Sequence, residues 1–267
     1  MKYAVWFVRF LFAAWMIPAG LNHFVPIFPQ PMGSQPLSQE LIHALIDSGL
    51  FDLVKSVELL AGLGVLFGFY TPLALLICMP VSFCVFYWDA PLEGWGSRAA
   101  IFGEAALLCN TLLCLAYYKS YKAMFSVRSE ASMKHIVLVV RLLFGALMVL
   151  NSINFFFLAL WPALTGHQPL AIQLMDALVH SRLLDVAMVL QLVAGALILA
   201  GVMIPAALSL LMPISTCALY WALVLDHQPM NAALALATFA VNGVLMLAYL
   251  RYYNGVLQRQ AVAVGEK

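Results

Sequence analysis

Eight apolar runs, at about 4–25, 50–69, 71–89, 98–118, 136–160, 183–203, 205–225 and 231–252, take up most of this sequence. Each is long enough, or nearly so, to cross about 30 Å of hydrocarbon, a distance that takes roughly 20 helical residues. Inside lipid the backbone must satisfy its own hydrogen bonds. The runs lack the alternation of barrel strands, so helix is the spanning structure they predict. Charged residues make up 9% of the chain, against about 25% in a soluble domain, too few to build a water-facing surface. The chain therefore reads as an all-α integral membrane protein whose first partner is the lipid bilayer. Its net charge of +1 supplies no field for nucleic acid, and no nucleic-acid motif is present.

The second four runs repeat the first four. Glu58-Leu-Leu-Ala-Gly62, with Gly68 and Pro72 after it, returns as Gln191-Leu-Val-Ala-Gly195, with Gly201 and Pro205. The shift is 133 residues (191 − 58). Arg9 matches Arg141, Asn22 matches Asn154, Pro36 matches Pro169, Ser48 and Asp52 match Ser181 and Asp185, Tyr87-Trp88 matches Tyr220-Trp221, and Asn110 matches Asn242. The offset stays at 132 or 133 throughout. A constant offset over this many positions marks an internal duplication. Four spans per copy is an even number, so both copies start from the same side of the membrane, as parallel repeats do. The expected organisation is a first four-helix repeat over 1–118, a polar linker at 119–135, a second repeat over 136–258 and a tail at 259–267.

Most basic residues, including Lys2, Lys119, Lys122, Arg128, Lys134, Arg251 and Arg259, fall on the side of the termini and linker. The other side carries few bases and many acids. The positive-inside rule then puts both termini in the cytoplasm. Met1 to Gly20 is read as a retained first span, not a cleaved signal: Arg9 interrupts it and its second copy is internal. The first outer loop, 26–49, is proline-rich and then amphipathic, with Leu41, Ile42, Leu45 and Ile46 on one face and Gly49 as a stop. The stretch 170–180 repeats the pattern, which predicts a short helix on the outer surface in each repeat.

An ionisable side chain inside a span costs a few kcal/mol at the helix centre on insertion scales, and therefore calls for a reason. Glu58 lies about 12 Å into the second run. Glu104 lies at a similar depth in the fourth, Asn22 and His23 end the first, and Trp88 and Asp89 end the third. These groups point to a site in the outer part of the first repeat, with Glu58 as proton acceptor and Asn22, His23, Lys55, Trp88, Asp89 and Glu104 around it. A structural network is the alternative, since Lys55 is placed to pair with Glu58 and with Asp52 at i, i+3. In the second repeat Gln191 stands for Glu58, Met188 for Lys55, Leu236 for Glu104 and Phe155 for His23, while Asn154 remains. Asn154 and Gln191 are the neutral counterparts.

The remaining polar features are weaker. The five cysteines, Cys78, Cys84, Cys109, Cys114 and Cys217, lie in apolar runs without a C-x-x-C and read as small hydrophobes. The histidines are scattered and lack a metal-binding spacing, so no metal ligands are assigned. Gly64-x-x-x-Gly68 reads as a close-packing pair within the bundle rather than an association motif. Phe24, Tyr87, Trp88, Trp95, Trp161 and Trp221 read as interfacial anchors.

Arg9, Gly20-Leu21-Asn22, Val57-Glu58-Leu-Leu-Ala-Gly62 and Gly68-Phe-Tyr-Thr-Pro72, with their second-repeat matches, resemble the DoxX family of small four-span membrane proteins. The chain looks like a tandem duplication of that unit, with Gln191 departing from the family's acidic position. The resemblance implies eight spans as two parallel four-helix repeats and a bacterial inner membrane. It also implies a role in a redox system, since the related DoxD branch is linked to quinone-dependent sulfur oxidation. Together with the carboxylate inside the second run, it makes a quinone or similar lipophile the expected ligand, with electrons supplied by a redox protein partner or a bound cofactor. A small-lipophile carrier and a membrane assembly factor are the non-enzymatic alternatives.

Overall fold

The structure is a computed structural model that describes residues 2–130, 134–158 and 165–264. Trp161, offered above as an anchor, lies outside the described residues. All regular structure among them is helical. Seven helices are long and apolar enough to cross a membrane: Tyr3–Phe24, Thr71–Leu92, Arg98–Ala116, His135–Leu158, Leu183–Ala200, Ile204–Asp226 and Pro229–Ala248. The second run forms a helix of comparable length, Leu50–Phe67, but Asp52, Lys55 and Glu58 keep it outside that set.

The chain divides into two compact units. Unit 1 comprises Met1–Lys122 with Asn254–Lys267, and unit 2 comprises Ala123–Tyr253. In unit 1 the long helices are α1 (Lys2–Phe24), α3 (Leu50–Phe67), α4 (Thr71–Tyr87) and α5 (Arg98–Ala116). The short α2 (Pro36–Asp47) lies in the first loop, and one turn, α6 (Tyr118–Tyr121), follows α5. Helix α1 packs on α3 and α5, and α4 packs on α3 and α5, which closes a four-helix bundle. The contact between α1 and α3 is close because Gly20 has no side chain: a Cβ there would stand 2.7 Å from the Leu59 nitrogen.

Helix α3 ends at Gly68, whose φ of +76° is the left-handed geometry that glycine adopts without strain. Arg9 completes this end. Its Nε and Nη2 donate to the Val65 carbonyl at 3.0 and 2.6 Å, and Nη2 reaches the Leu66 carbonyl at 3.4 Å. A buried guanidinium thus satisfies helix-terminal carbonyls and meets the negative end of the dipole. Gly64 packs inside the same unit, its Cβ position 3.1 Å from the Phe69 carbonyl and 3.3 Å from Ala74 Cβ. Chain from beyond residue 253 seals this end of unit 1: Tyr70 N–H donates to the Arg259 carbonyl at 2.9 Å and Val264 N–H to the Ala116 carbonyl at 2.8 Å.

Unit 2 is built from α7 (Lys134–Ile153), α8 (Pro169–His180), α9 (Leu183–Ala200), α10 (Ile204–Tyr220) and α11 (Pro229–Ala248). Helix α7 packs on α9 and α11, and α10 packs on α9 and α11. Here Met203 N–H donates to the Ser126 carbonyl at 3.3 Å, so part of the linker is docked backbone rather than a free basic segment. Several contacts recur at positions 132 or 133 apart. Tyr121 Oη donates to the Pro72 carbonyl at 2.8 Å, and Tyr253 Oη to the Pro205 carbonyl at 2.7 Å. Helices α4 and α10 each run into a π-helical turn, Trp88–Leu92 and Trp221–Asp226. The indole nitrogens of Trp88 and Trp221 donate to the Ser38 and Ala171 carbonyls at 2.9 and 3.0 Å. Both tryptophans thus clamp the short outer helices α2 and α8, and Trp221 is buried in doing so, whereas Trp88 is half-buried.

Candidate functional site

Of the candidate residues, Lys55 and Glu58 pair directly in unit 1, with Asp89 in the same unit and within electrostatic reach of them. Lys55 and Glu58 share a face of α3 because three residues nearly complete a turn. Lys55 Nζ stands 2.8 Å from Glu58 Oε2, and the glutamate is 1% exposed. The ammonium also lies 4.9 Å from the centre of the Phe51 ring, a cation–π contact. Asp89, in the turn that follows α4, is 7% exposed and within electrostatic reach of both Lys55 and Glu58. Its carboxylate accepts no hydrogen bond among the described residues; the Ser97 hydroxyl reaches only its backbone oxygen, at 3.5 Å. Asp89 fits there because Gly103 of α5 leaves room: a Cβ on Gly103 would lie 2.8 Å from Asp89 Oδ2. Two carboxylates and one ammonium in an apolar bundle form an electrostatically incomplete set, which a proton, a cation or a hydrogen-bond donor would complete.

His23 borders this cluster without joining its ion pair. Its ring meets Phe51 edge-on, with centroids 5.1 Å apart, while Nε2 stands 2.6 Å from Asp52 Oδ1. Asp52 therefore pairs with His23 and not with Lys55. The Asn22 side chain is occupied in a turn: Oδ1 accepts from the Ile27 and Phe28 amides at 2.8 and 2.7 Å. Trp88 is occupied in holding α2.

Glu104 departs from the expectation. It is exposed on the outside of α5, while Gly103, Ala106, Asn110 and Leu113 form the buried face. One residue past Gly103 is a rotation of about 100° on a helix, which carries Glu104 out of the core. Asn154 and Gln191 are buried in unit 2. Gln191 Nε2 donates to the Met148 carbonyl at 3.2 Å, a neutral cross-helix bond at the Glu58 position. Unit 2 also has an apolar cavity of about 300 Å³ between α7 and α11, lined by residues such as Val137, Val140, Val244 and Leu245; no candidate residue lines it.

The sequence reading missed a pair of carboxylate anchors. Glu93 accepts from Ser34 N–H at 2.8 Å, Ser34 Oγ at 2.6 Å and the Ser38 hydroxyl, and so fixes the lead-in to α2. At the matching position Asp226 accepts from His167 N–H at 2.6 Å and from Asn231 Nδ2 at 2.8 Å. The recurrence of an acid at 93 and 226 was the available signal. Partial burial pushes the Glu93 carboxyl up, but its hydroxyl and backbone donors outweigh this and hold it below the ordinary glutamate value of 4.5. Among the described residues no three His, Cys, Asp or Glu side chains are grouped to hold a metal ion. No family model matches the chain, and no curated protein or solved structure matches it.

Proposed function

We propose that this is a DoxX-like protein of a bacterial inner membrane, with eight spans in two parallel four-helix repeats and both termini cytoplasmic. Unit 1 binds a quinone or similar lipophile as a subunit of a redox system. Support for α3 as the eighth span comes from its charges: Lys55 and Glu58 are buried against each other, and Asp52 sits in the first turn beside His23. Support for the repeats comes from the contacts that recur at the same offset in each unit.

The observation that carries the ligand reading is Asp89, a buried carboxylate without a hydrogen-bond partner beside the Lys55–Glu58 pair. A quinone supplies two-electron, two-proton chemistry, and its oxygens need a donor in one state and an acceptor in the other. Lys55 is a donor, and Asp89 and Glu58 are acceptors, so the set fits both states. These residues would bind the head group and hold or pass a proton at a carboxylate oxygen, while the apolar helices exclude water. Native mass spectrometry with lipid extraction, on wild type beside Glu58→Gln, tests the proposal. Quinone retained by wild type and lost by the variant supports it, and equal retention or none in either counts against it.

One observation favours a scaffold as a second reading. Glu104 puts a carboxylate on the outer face of an apolar helix, where a basic group of a neighbouring membrane protein would find it.

A further inference from the structure

Cys78 and Cys114 are placed as a pair. Helices α4 and α5 run antiparallel through a short connection, and their register is fixed by Asn110 Nδ2, which donates to Ser82 Oγ at 2.9 Å. Cys78 lies four residues before Ser82, and Cys114 four residues after Asn110. On antiparallel helices those two steps run the same way, each by about 6 Å, so both thiols stand at one level on facing helices. Both turn back toward the same bridge: Cys78 Sγ is 3.9 Å from Ser82 Oγ, and Cys114 Sγ is 3.5 Å from Asn110 Oδ1. Cys78 feels the electrostatic influence of both Cys114 and Glu58. The Asn110–Ser82 bond holds the two helices side by side about one turn from the thiols, and a disulfide between helices needs their Cα atoms within about 7 Å.

Unit 2 keeps the bridge without the thiols. Asn242 Nδ2 lies 3.4 Å from Ser215 Oγ, but Leu211 and Met246 stand at the matching positions. The Ser–Asn contact is thus common packing, and the two sulfurs are specific to unit 1. Cys78 is fully buried and Cys114 is half-buried, so a bilayer-soluble oxidant approaches from the Cys114 side.

We infer that Cys78 and Cys114 are a redox-active dithiol that closes reversibly to an intramolecular disulfide. The identity of the natural oxidant rests on the quinone reading above; the pairing itself rests on the helix register. In the closing step two S–H bonds break and one S–S bond forms. The two electrons and two protons pass to the quinone, which becomes the quinol. Glu58, within electrostatic reach of Cys78, is positioned to influence that proton transfer.

The test uses the full-length protein, reduced and then freed of reductant, in phospholipid nanodiscs. Free thiols are counted by alkylation after denaturation, alongside intact mass, after exposure to ubiquinone-1 or to diamide. The account expects five free thiols to fall to three with either oxidant, with the mass of two hydrogens lost. The triple variant Cys84→Ser/Cys109→Ser/Cys217→Ser should lose both of its thiols, and Cys114→Ser or Cys78→Ser should form no intramolecular disulfide. Closure with diamide but not with ubiquinone-1 would keep the pair and overturn the quinone as its oxidant. No closure with either would overturn the pair, leaving quinone binding to be judged by its own retention test.

Discussion

Glu58 and Lys55 illustrate how strongly burial raises the stakes of a single side chain. Taking two charges out of water costs several kcal/mol per ion, and their mutual attraction offsets that only while both are present. Lys55→Met alone should therefore destabilise unit 1 by about 3–5 kcal/mol, because it leaves Glu58 beside Asp89 with no cation. Lys55→Met/Glu58→Leu should recover most of the loss. Thermal unfolding in detergent checks this, and losses that simply add would show that the two groups do not depend on each other. Glu104 should behave oppositely. Its side chain is outside the core, and Leu236 at the matching position of unit 2 is 52% exposed. Glu104→Leu should leave the melting temperature unchanged or raise it; a large fall would mean that the side chain makes an internal contact.

The loop-to-helix joints show how the elements are held. A carboxylate at the end of each π-helical turn, Asp226 closing one and Glu93 just past the other, gathers donors from the segment that leads into the short outer helix, and a tryptophan indole grips that helix from the same turn. For Glu93 the sign of the pH effect follows from its lowered pKa. A carboxyl depressed in the folded state contributes stability that is fully present above the unfolded value, here 4.5, and is lost as pH falls through the folded value. Acidification below about 4.5 should thus loosen residues 33–38. Limited pepsin digestion across that range should show increasing cleavage in the loop in wild type. Glu93→Gln should be cleaved to the same extent at every pH, apart from the protease's own profile. The long helices, the short outer helices and the glycine stop at Gly68 were legible in the sequence, because periodicity and backbone geometry are local properties. The Glu93 clamp was not: Ser34 and Glu93 are far apart in sequence, and both residue types are ordinary in a loop.

At the scale of the whole molecule, composition pointed to the helical membrane class, and the constant offset is the ground for the proposed duplication. The candidate site was only partly legible. Depth along each run put Lys55, Glu58 and Asp89 toward one end of unit 1, but depth carries no rotation, so it grouped Glu104 with them although that side chain is exposed on the outside of α5. The sequence does not specify where the partners of Asn22 and Trp88 lie: the Ile27 and Phe28 amides are in the loop after α1, and the Ser38 carbonyl is at the start of α2, fifty residues from Trp88. What remains is a charge cluster in unit 1, lacking in unit 2, whose Asp89 carboxylate has no hydrogen-bond partner among the described residues and is the group the proposed ligand would meet. Infrared difference spectroscopy of the protein in lipid, on addition of ubiquinone-1, tests that claim most directly. A carboxyl band that changes in wild type and vanishes in both Glu58→Gln and Asp89→Asn is the predicted result. Identical difference spectra in all three proteins would contradict the account.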